Sequence, residues 1–177
     1  LKKDPELLYD SFYKELEFGT GGMRGISGVG TNRINKYTIG RNTQGIANYI
    51  NKIENGVKDV VIAYDCRNDS EYLANIVANI FSANNIKVFL FSSLRPTPEL
   101  SFAVKKLNCI CGIVLTASHN PPEYNGYKVY WKDGGQIVPP IDGILTSAIM
   151  SIEFNKINFK GNDKLIQLID KEFDELF

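Results

Sequence analysis

Between residues 57 and 115 two hydrophobic periodicities alternate, and that alternation leaves the chain few folds to adopt. Val57–Tyr64, Ile86–Phe91 and Cys109–Leu115 are short apolar runs rich in Val, Ile and Phe, the composition of strands buried on both faces. Between the first two runs, Leu73, Ile76, Val77, Ile80 and Phe81 recur at helical spacing, and Ser70 is predicted to cap that helix. Between the second and third, a turn with Pro96 and Pro98 leads into a shorter helix carrying Leu100, Ala103, Val104 and Leu107. Two consecutive strand–helix–strand units demand parallel strands joined by right-handed crossovers. The polar loop Thr116–Gly126 then leads to a further strand, Tyr127–Trp131. No helix fits between, so this strand is expected to turn back antiparallel. The expected fold is a three-layer α/β/α domain with a mixed, mostly parallel sheet.

The flanks add helices. Asp4 and Pro5 suit the start of one helix, expected to reach Leu16 with Leu8 and Phe12 on its buried face. Ile39, Thr43, Ile46, Ala47, Ile50 and Ile53 predict a long helix over about Lys36–Glu54. The stripe Ile141, Ile144, Leu145, Ala148, Ile149, Ile152 predicts another, and Leu165, Leu168, Ile169, Phe173 and Leu176 a last one over about Asp163–Leu176. Neither an internal repeat nor a low-complexity linker is present, so residues 1–177 read as a single domain. Because the first residue is Leu1, the chain is expected to begin inside a longer product.

Composition excludes several classes of function. Twenty basic side chains balance twenty acidic ones, which argues against a nucleic-acid binder that needs surplus positive charge. No apolar run approaches membrane-spanning length, and no segment resembles a signal peptide. Cys66, Cys109 and Cys111 are odd in number and lack zinc-ligand spacing. They are expected to be reduced, packed thiols of a cytoplasmic protein, with Cys109 and Cys111 on one strand face.

Ligands of open α/β sheets gather beyond the carboxyl ends of the strands. Thr116, Ala117, Ser118, His119 and Asn120 fall there, directly after a predicted strand. Ser118 offers a hydroxyl able to accept a phosphoryl group, His119 is the chain's one histidine, and Asn120 can donate hydrogen bonds. An Asn125-Gly126 turn is expected to bring Lys128 back towards Ser118. By composition alone a merely polar crossover loop is an equal alternative. A Ser-His-Asp hydrolase fits poorly, because the G-x-S-x-G elbow is absent.

A second candidate is EFGTGGMRGISGVG, Glu17–Gly30, too irregular for a helix. So many glycines imply sharp turns or close backbone approach. The segment is neither a Walker loop nor a dinucleotide fingerprint, but Arg24 among exposed amides suits an anion. A connector with a solvent-facing Arg24 is the alternative. In YDCRNDS, Asp65 and Arg67 read chiefly as a pair tying neighbouring loops together, with ligand binding second.

Together these segments resemble the α-D-phosphohexomutase family, the phosphoglucomutases, phosphomannomutases and relatives. Thr116-Ala-Ser-His-Asn-Pro121 followed by Asn125-Gly-Tyr-Lys128 resembles that family's phosphoserine loop. Glu17-Phe-Gly-Thr-Gly-Gly-Met-Arg-Gly25 is similar to its amino-terminal glycine–arginine signature, with Gly22 and Met23 where relatives often have Ala and Leu. Asp65, Arg67 and Ser70 match a weaker third pattern.

The resemblance implies the phosphoserine-bearing amino-terminal domain of a four-domain enzyme that interconverts hexose 1- and 6-phosphates. Glucose is the expected substrate, mannose possible, with pentose phosphates or a non-catalytic phosphate-binding module as alternatives. Ser118 would carry the phosphoryl group, and glucose 1,6-bisphosphate would serve as intermediate and activator. His119 or Lys128 would exchange protons, Arg24 would lie by the transferring group, and Thr116 and Asn120 would shape the loop and its phosphate site. The family uses Mg²⁺, here expected to bind a phosphoserine oxygen on Ser118 while its other ligands lie in missing domains of the same polypeptide. No D-G-D-x-D-R-like run occurs, so the 177 residues alone are not expected to turn over sugar.

Overall fold

A computed structural model describes residues 4–56 and 58–177. Val57, the expected start of the first parallel strand, lies outside the described residues. Six strands form one sheet: β1 (Gly22–Ile26), β2 (Val60–Tyr64), β3 (Val88–Phe91), β4 (Cys111–Leu115), β5 (Tyr124–Trp131) and β6 (Ile166–Ile169), in the order β1-β5-β4-β2-β3-β6. β4, β2, β3 and β6 run parallel, while β5 is antiparallel to both β4 and β1. The sheet is mixed and mostly parallel, as the alternation of patterns requires.

Period-2 side-chain alternation builds the layers. In β2, Val60, Ile62 and Tyr64 enter one apolar cluster and Val61 and Ala63 the other. The first cluster is covered by α2 (Lys36–Ile53), α3 (Ser70–Ala83) and α5 (Ile141–Met150), through residues such as Ile46, Leu73 and Leu145. The second is covered by α4 (Thr97–Lys106), through Leu100, Ala103 and Val104. The α2 start is firmly set, since Asn35 accepts from the amides of Tyr37 and Thr38 while the Thr38 hydroxyl accepts from the Asn35 amide.

Five expectations are corrected. The first helix, α1 (Pro5–Phe12), stops short of Leu16, because the Leu16 amide donates to the Thr31 carbonyl instead of continuing the helix. Leu8 and Phe12 are consequently exposed, and Leu16 packs on the core from the connector. The helix expected over Asp163–Leu176 is broken into a 3₁₀ turn (Asp163–Leu165), β6 and a four-residue turn of helix, α6 (Lys171–Asp174). Ile166 and Ile169 pack on opposite clusters, which a strand allows and a helical stripe does not, and Leu168 faces solvent.

The glycine-rich segment, in which no strand was expected, contains β1. Ser70 is the first residue of α3 rather than its cap; Asp69, at φ +62°, holds that position without a side-chain bond. The cysteines are not all packed, since Cys66 is exposed just after β2, and Cys109 and Cys111 do not share a strand face. Cys109 precedes β4 and packs in the second cluster, Cys111 in the first. Burial pushes both thiols up, Cys109 to about 12, so both stay protonated.

Candidate functional site

The carboxyl ends of β2 and β4 open on one cleft, lined by side chains from residues 65–68 and 118–122. A cavity of about 590 Å³ lies elsewhere, between α1, the loop after β1 and the starts of α2 and α3, and its walls are mostly apolar. A smaller cleft of about 300 Å³ is lined by Asp65, Arg67, Asn68, Ser118, Asn120 and Pro122. Polar chemistry converges in the smaller one.

Chain geometry at the end of β4 presents Ser118. The buried Thr116 donates its amide to the Gly126 carbonyl, and its hydroxyl accepts from the Ser118 amide at 2.9 Å. The Asn120 amide returns to the Ala117 carbonyl. Within that tight loop Ser118 takes φ +56°, a left-handed conformation that residues with a Cβ rarely adopt and that clusters at functional positions. Its hydroxyl is exposed and lies 3.4 Å from Nδ1 of the exposed His119.

β1 delivers Arg24 to the same place. Its register with β5 sets Arg24 opposite Gly126, and Arg24 Nη1 donates to Asn120 Oδ1 at 2.7 Å. Lys128 sits on β5 between Val114 of β4 and Gly22 of β1. It makes no hydrogen bond to these groups among the described residues. Burial, and then the Arg24 guanidinium, lower its pKa below the ordinary lysine value, while Asp65 works the other way.

Asn125-Gly126 is not the turn that was expected. Both residues lie in β5, and the reversal occurs earlier, where the Tyr124 amide meets the Pro121 carbonyl. Strand register, not a turn, therefore places Lys128. Asp65 and Arg67 do tie loops together, as their spacing suggested: Arg67 donates to carbonyls of the Ser118 loop. Sequence reasoning missed the group behind them, in which the fully buried Asn125 joins Asn68 and Ser70. No sequence signal marked that group, because Asn125 next to Gly126 reads as a turn.

Of the groups singled out, Thr116, Ser118, His119, Asn120 and Arg24 are in contact in sequence or space, and Lys128 is near enough to feel the charges of Arg24 and Asp65. Arg24 gives this end of the sheet a positive group suited to a phosphate. Among the described residues, no cluster of three or more His, Cys, Asp or Glu side chains could hold a metal ion.

Known proteins share both the sequence and the fold. Residues 15–156 match the family described as phosphoglucomutase/phosphomannomutase, alpha/beta/alpha domain I. A phosphoglucomutase of Staphylococcus aureus (strain bovine RF122 / ET3-1) is 48% identical over 128 residues, covering 72% of this chain and 23% of that protein. The chain thus spans less than a quarter of the length of such curated relatives. A phosphomannomutase-like protein from Thermus thermophilus superposes with a TM-score of 0.71 at 26% identity, over 89% of this chain and 33% of that one. A phosphoglucomutase/phosphomannomutase family protein from Burkholderia thailandensis shares the fold, with a TM-score of 0.65 at 22% identity over 86% of this chain and 32% of that one.

Proposed function

Because this chain belongs to the phosphoglucomutase/phosphomannomutase family, as its α/β/α domain I, we propose that it is the phosphoserine-bearing, amino-terminal domain of a cytoplasmic four-domain mutase. That enzyme interconverts hexose 1-phosphate and hexose 6-phosphate, with glucose the preferred sugar and mannose second. The observation that carries this reading is Ser118: an exposed hydroxyl held at φ +56° at the carboxyl end of β4, beside the Arg24–Asn120 pair.

Phosphoryl transfer asks mainly for positioning and charge neutralisation. Phosphorylated Ser118 donates its phosphoryl group to the free hydroxyl of the hexose monophosphate. The bond from phosphorus to Ser118 Oγ breaks as a bond to the sugar oxygen forms. The sugar hydroxyl gives its proton to neutral Lys128, and Ser118 Oγ leaves as an alkoxide protonated from His119. The bisphosphate turns over and returns its other phosphoryl group to Ser118 by the reverse step. Arg24, held by Asn120, neutralises charge on the transferring group, and Thr116 fixes the loop through the Ser118 amide.

The residues present do not form a Mg²⁺ site by themselves. Asp65, the carboxylate in the cleft, already accepts from the Arg67 amide and the Ser70 hydroxyl. The ion supplies charge neutralisation when bound, and this domain offers it one ligand, a phosphoryl oxygen on Ser118.

The reading is tested by assaying the full-length polypeptide for interconversion of glucose 1- and 6-phosphate with catalytic glucose 1,6-bisphosphate. A folded polypeptide that stays inactive on hexose and pentose phosphates alike counts against it.

Lys128 gives a pH prediction with a definite sign. A lysine acts as a base only when neutral, so kcat/KM should rise with pH through a limb that lies below the ordinary lysine value. Removing Arg24, whose charge helps to lower Lys128, should move that limb to higher pH in the residual activity. Lys128→Arg cannot deprotonate, and a loss of about 100-fold with a flattened limb is expected. A pH profile unchanged in both variants would assign the base elsewhere.

A further inference from the structure

Arg67 has no part in the chemistry above, yet its side chain is the most heavily bonded around the Ser118 loop. Nη1 donates to the carbonyls of Pro121 and Tyr124 at 2.9 and 3.0 Å. Nη2 donates to the carbonyls of Ser118 and Asn120, each at 2.6 Å. One rigid, permanently charged fork thus gathers four carbonyls from the stretch 118–124.

The fork is itself fixed from behind. Asp65 Oδ1 accepts from the Arg67 amide and from the Ser70 hydroxyl, both at 3.0 Å, and Asp65 Oδ2 lies 3.7 Å from Arg67 Nε. Asn125 Nδ2 donates to the Asn68 carbonyl and to Ser70 Oγ, both at 3.0 Å, pinning that support to β5. A residue with a Cβ persists in the left-handed region when its surroundings over-determine it, and here the carbonyl of the left-handed residue is one of the four that Arg67 holds. A second of the four belongs to Asn120, whose side chain holds Arg24.

We propose that Arg67 is a positioning residue for phosphoryl transfer: by gathering the carbonyls of Ser118, Asn120, Pro121 and Tyr124 it holds Ser118 in its left-handed conformation and, through Asn120, keeps Arg24 beside it. The proposal rests on the reading of Ser118 as the phosphoryl carrier. Lysine cannot replace Arg67, because one ammonium nitrogen with three donors cannot reach the four carbonyls that two separate guanidinium nitrogens hold.

The test compares the native full-length polypeptide with its Arg67→Ala and Arg67→Lys variants. Amide hydrogen exchange over residues 116–126, single-turnover transfer from glucose 1,6-bisphosphate to Ser118, and steady-state kcat and KM are measured. Both variants are expected to exchange at least about tenfold faster in this loop, with α2 and α3 unchanged. Transfer and kcat should fall about 100-fold, while KM stays within roughly threefold. Added guanidinium ion should restore part of the transfer in Arg67→Ala and none in Arg67→Lys.

Native exchange and native transfer in Arg67→Ala overturn the proposal. A raised KM with unchanged kcat also overturns it, since that would make Arg67 a substrate ligand. If Arg67→Ala does not fold, Arg67→Lys decides alone, and native transfer there overturns the proposal. Loop protection that depends on Arg67, in a polypeptide whose native form takes no phosphate, supports the positioning role and counts against the mutase reading instead.

Discussion

Replacing Ser118 by alanine in the full-length polypeptide is expected to lower kcat by about 10⁴-fold or more, because no neighbouring hydroxyl occupies its place to carry the phosphoryl group. Stability should change little. The Ser118 side chain is exposed and meets only the His119 ring, while the contacts that hold the loop are made by its backbone, the Thr116 hydroxyl and Arg67. The backbone strain at φ +56° is the same for alanine as for serine. The variant should therefore show native thermal unfolding and still bind sugar phosphate with the native affinity. Turnover retained in Ser118→Ala would remove Ser118 from the mechanism.

The second large effect is on stability and comes from Gly22→Ala. The alanine expected at this position from the family resemblance does not fit here: Gly22 begins β1 at φ +132°, where a Cβ would lie 2.0 Å from the Tyr127 carbonyl oxygen and 2.9 Å from the Lys128 Cα. Both obstacles are backbone of β5, the strand that pairs with β1, so neither can swing aside. β1 must move or unpair, at a cost of about 3 kcal/mol or more, which for a domain of this size lowers Tm by roughly 10 °C. Gly22 faces Lys128 across the ladder and Arg24 is two residues on, so the same displacement shifts the cationic wall of the cleft. Arg24 should lose its bond to Asn120, visible as faster exchange across β1. A native Tm in Gly22→Ala would mean that β1 does not pack as described.

The two variants mark where sequence was informative and where it was not. β2, β3 and β4 were legible as unbroken apolar runs, which burial on both faces of a sheet enforces, and α3 and α4 through apolar residues that recur at the helical period. α2 was legible through its stripe from Ile39 to Ile53. β1 was not, since Gly-Met-Arg-Gly-Ile has no strand pattern of its own and is extended because β5 pairs with it. β6 was hidden by the same ambiguity: apolar residues at i and i+3 of a four-residue strand fit a helix until β3 is seen to pair with them.

The site divides in the same way. Thr116, Ser118, His119 and Asn120 are neighbours in the chain, so their convergence needed no tertiary knowledge. Arg24 was recognisable from its glycine-rich setting, but its bond to Asn120 joins residues 96 positions apart. The support made by Asp65, Arg67, Ser70 and Asn125 depends on how α3 and β5 meet, and Asn125 resembled a turn residue because Asn-Gly so often is one. Local chemistry was written locally. The group that holds it in place was not.

Phosphopeptide mapping of the full-length polypeptide, after incubation with glucose 1,6-bisphosphate and Mg²⁺, tests the central claim most directly. A single phosphoryl group is expected on the peptide that contains Ser118, and it should disappear when glucose 1-phosphate is added. A folded polypeptide, saturated with bisphosphate, that carries no phosphate on Ser118 would contradict the account and leave a domain that binds phosphate without transferring it.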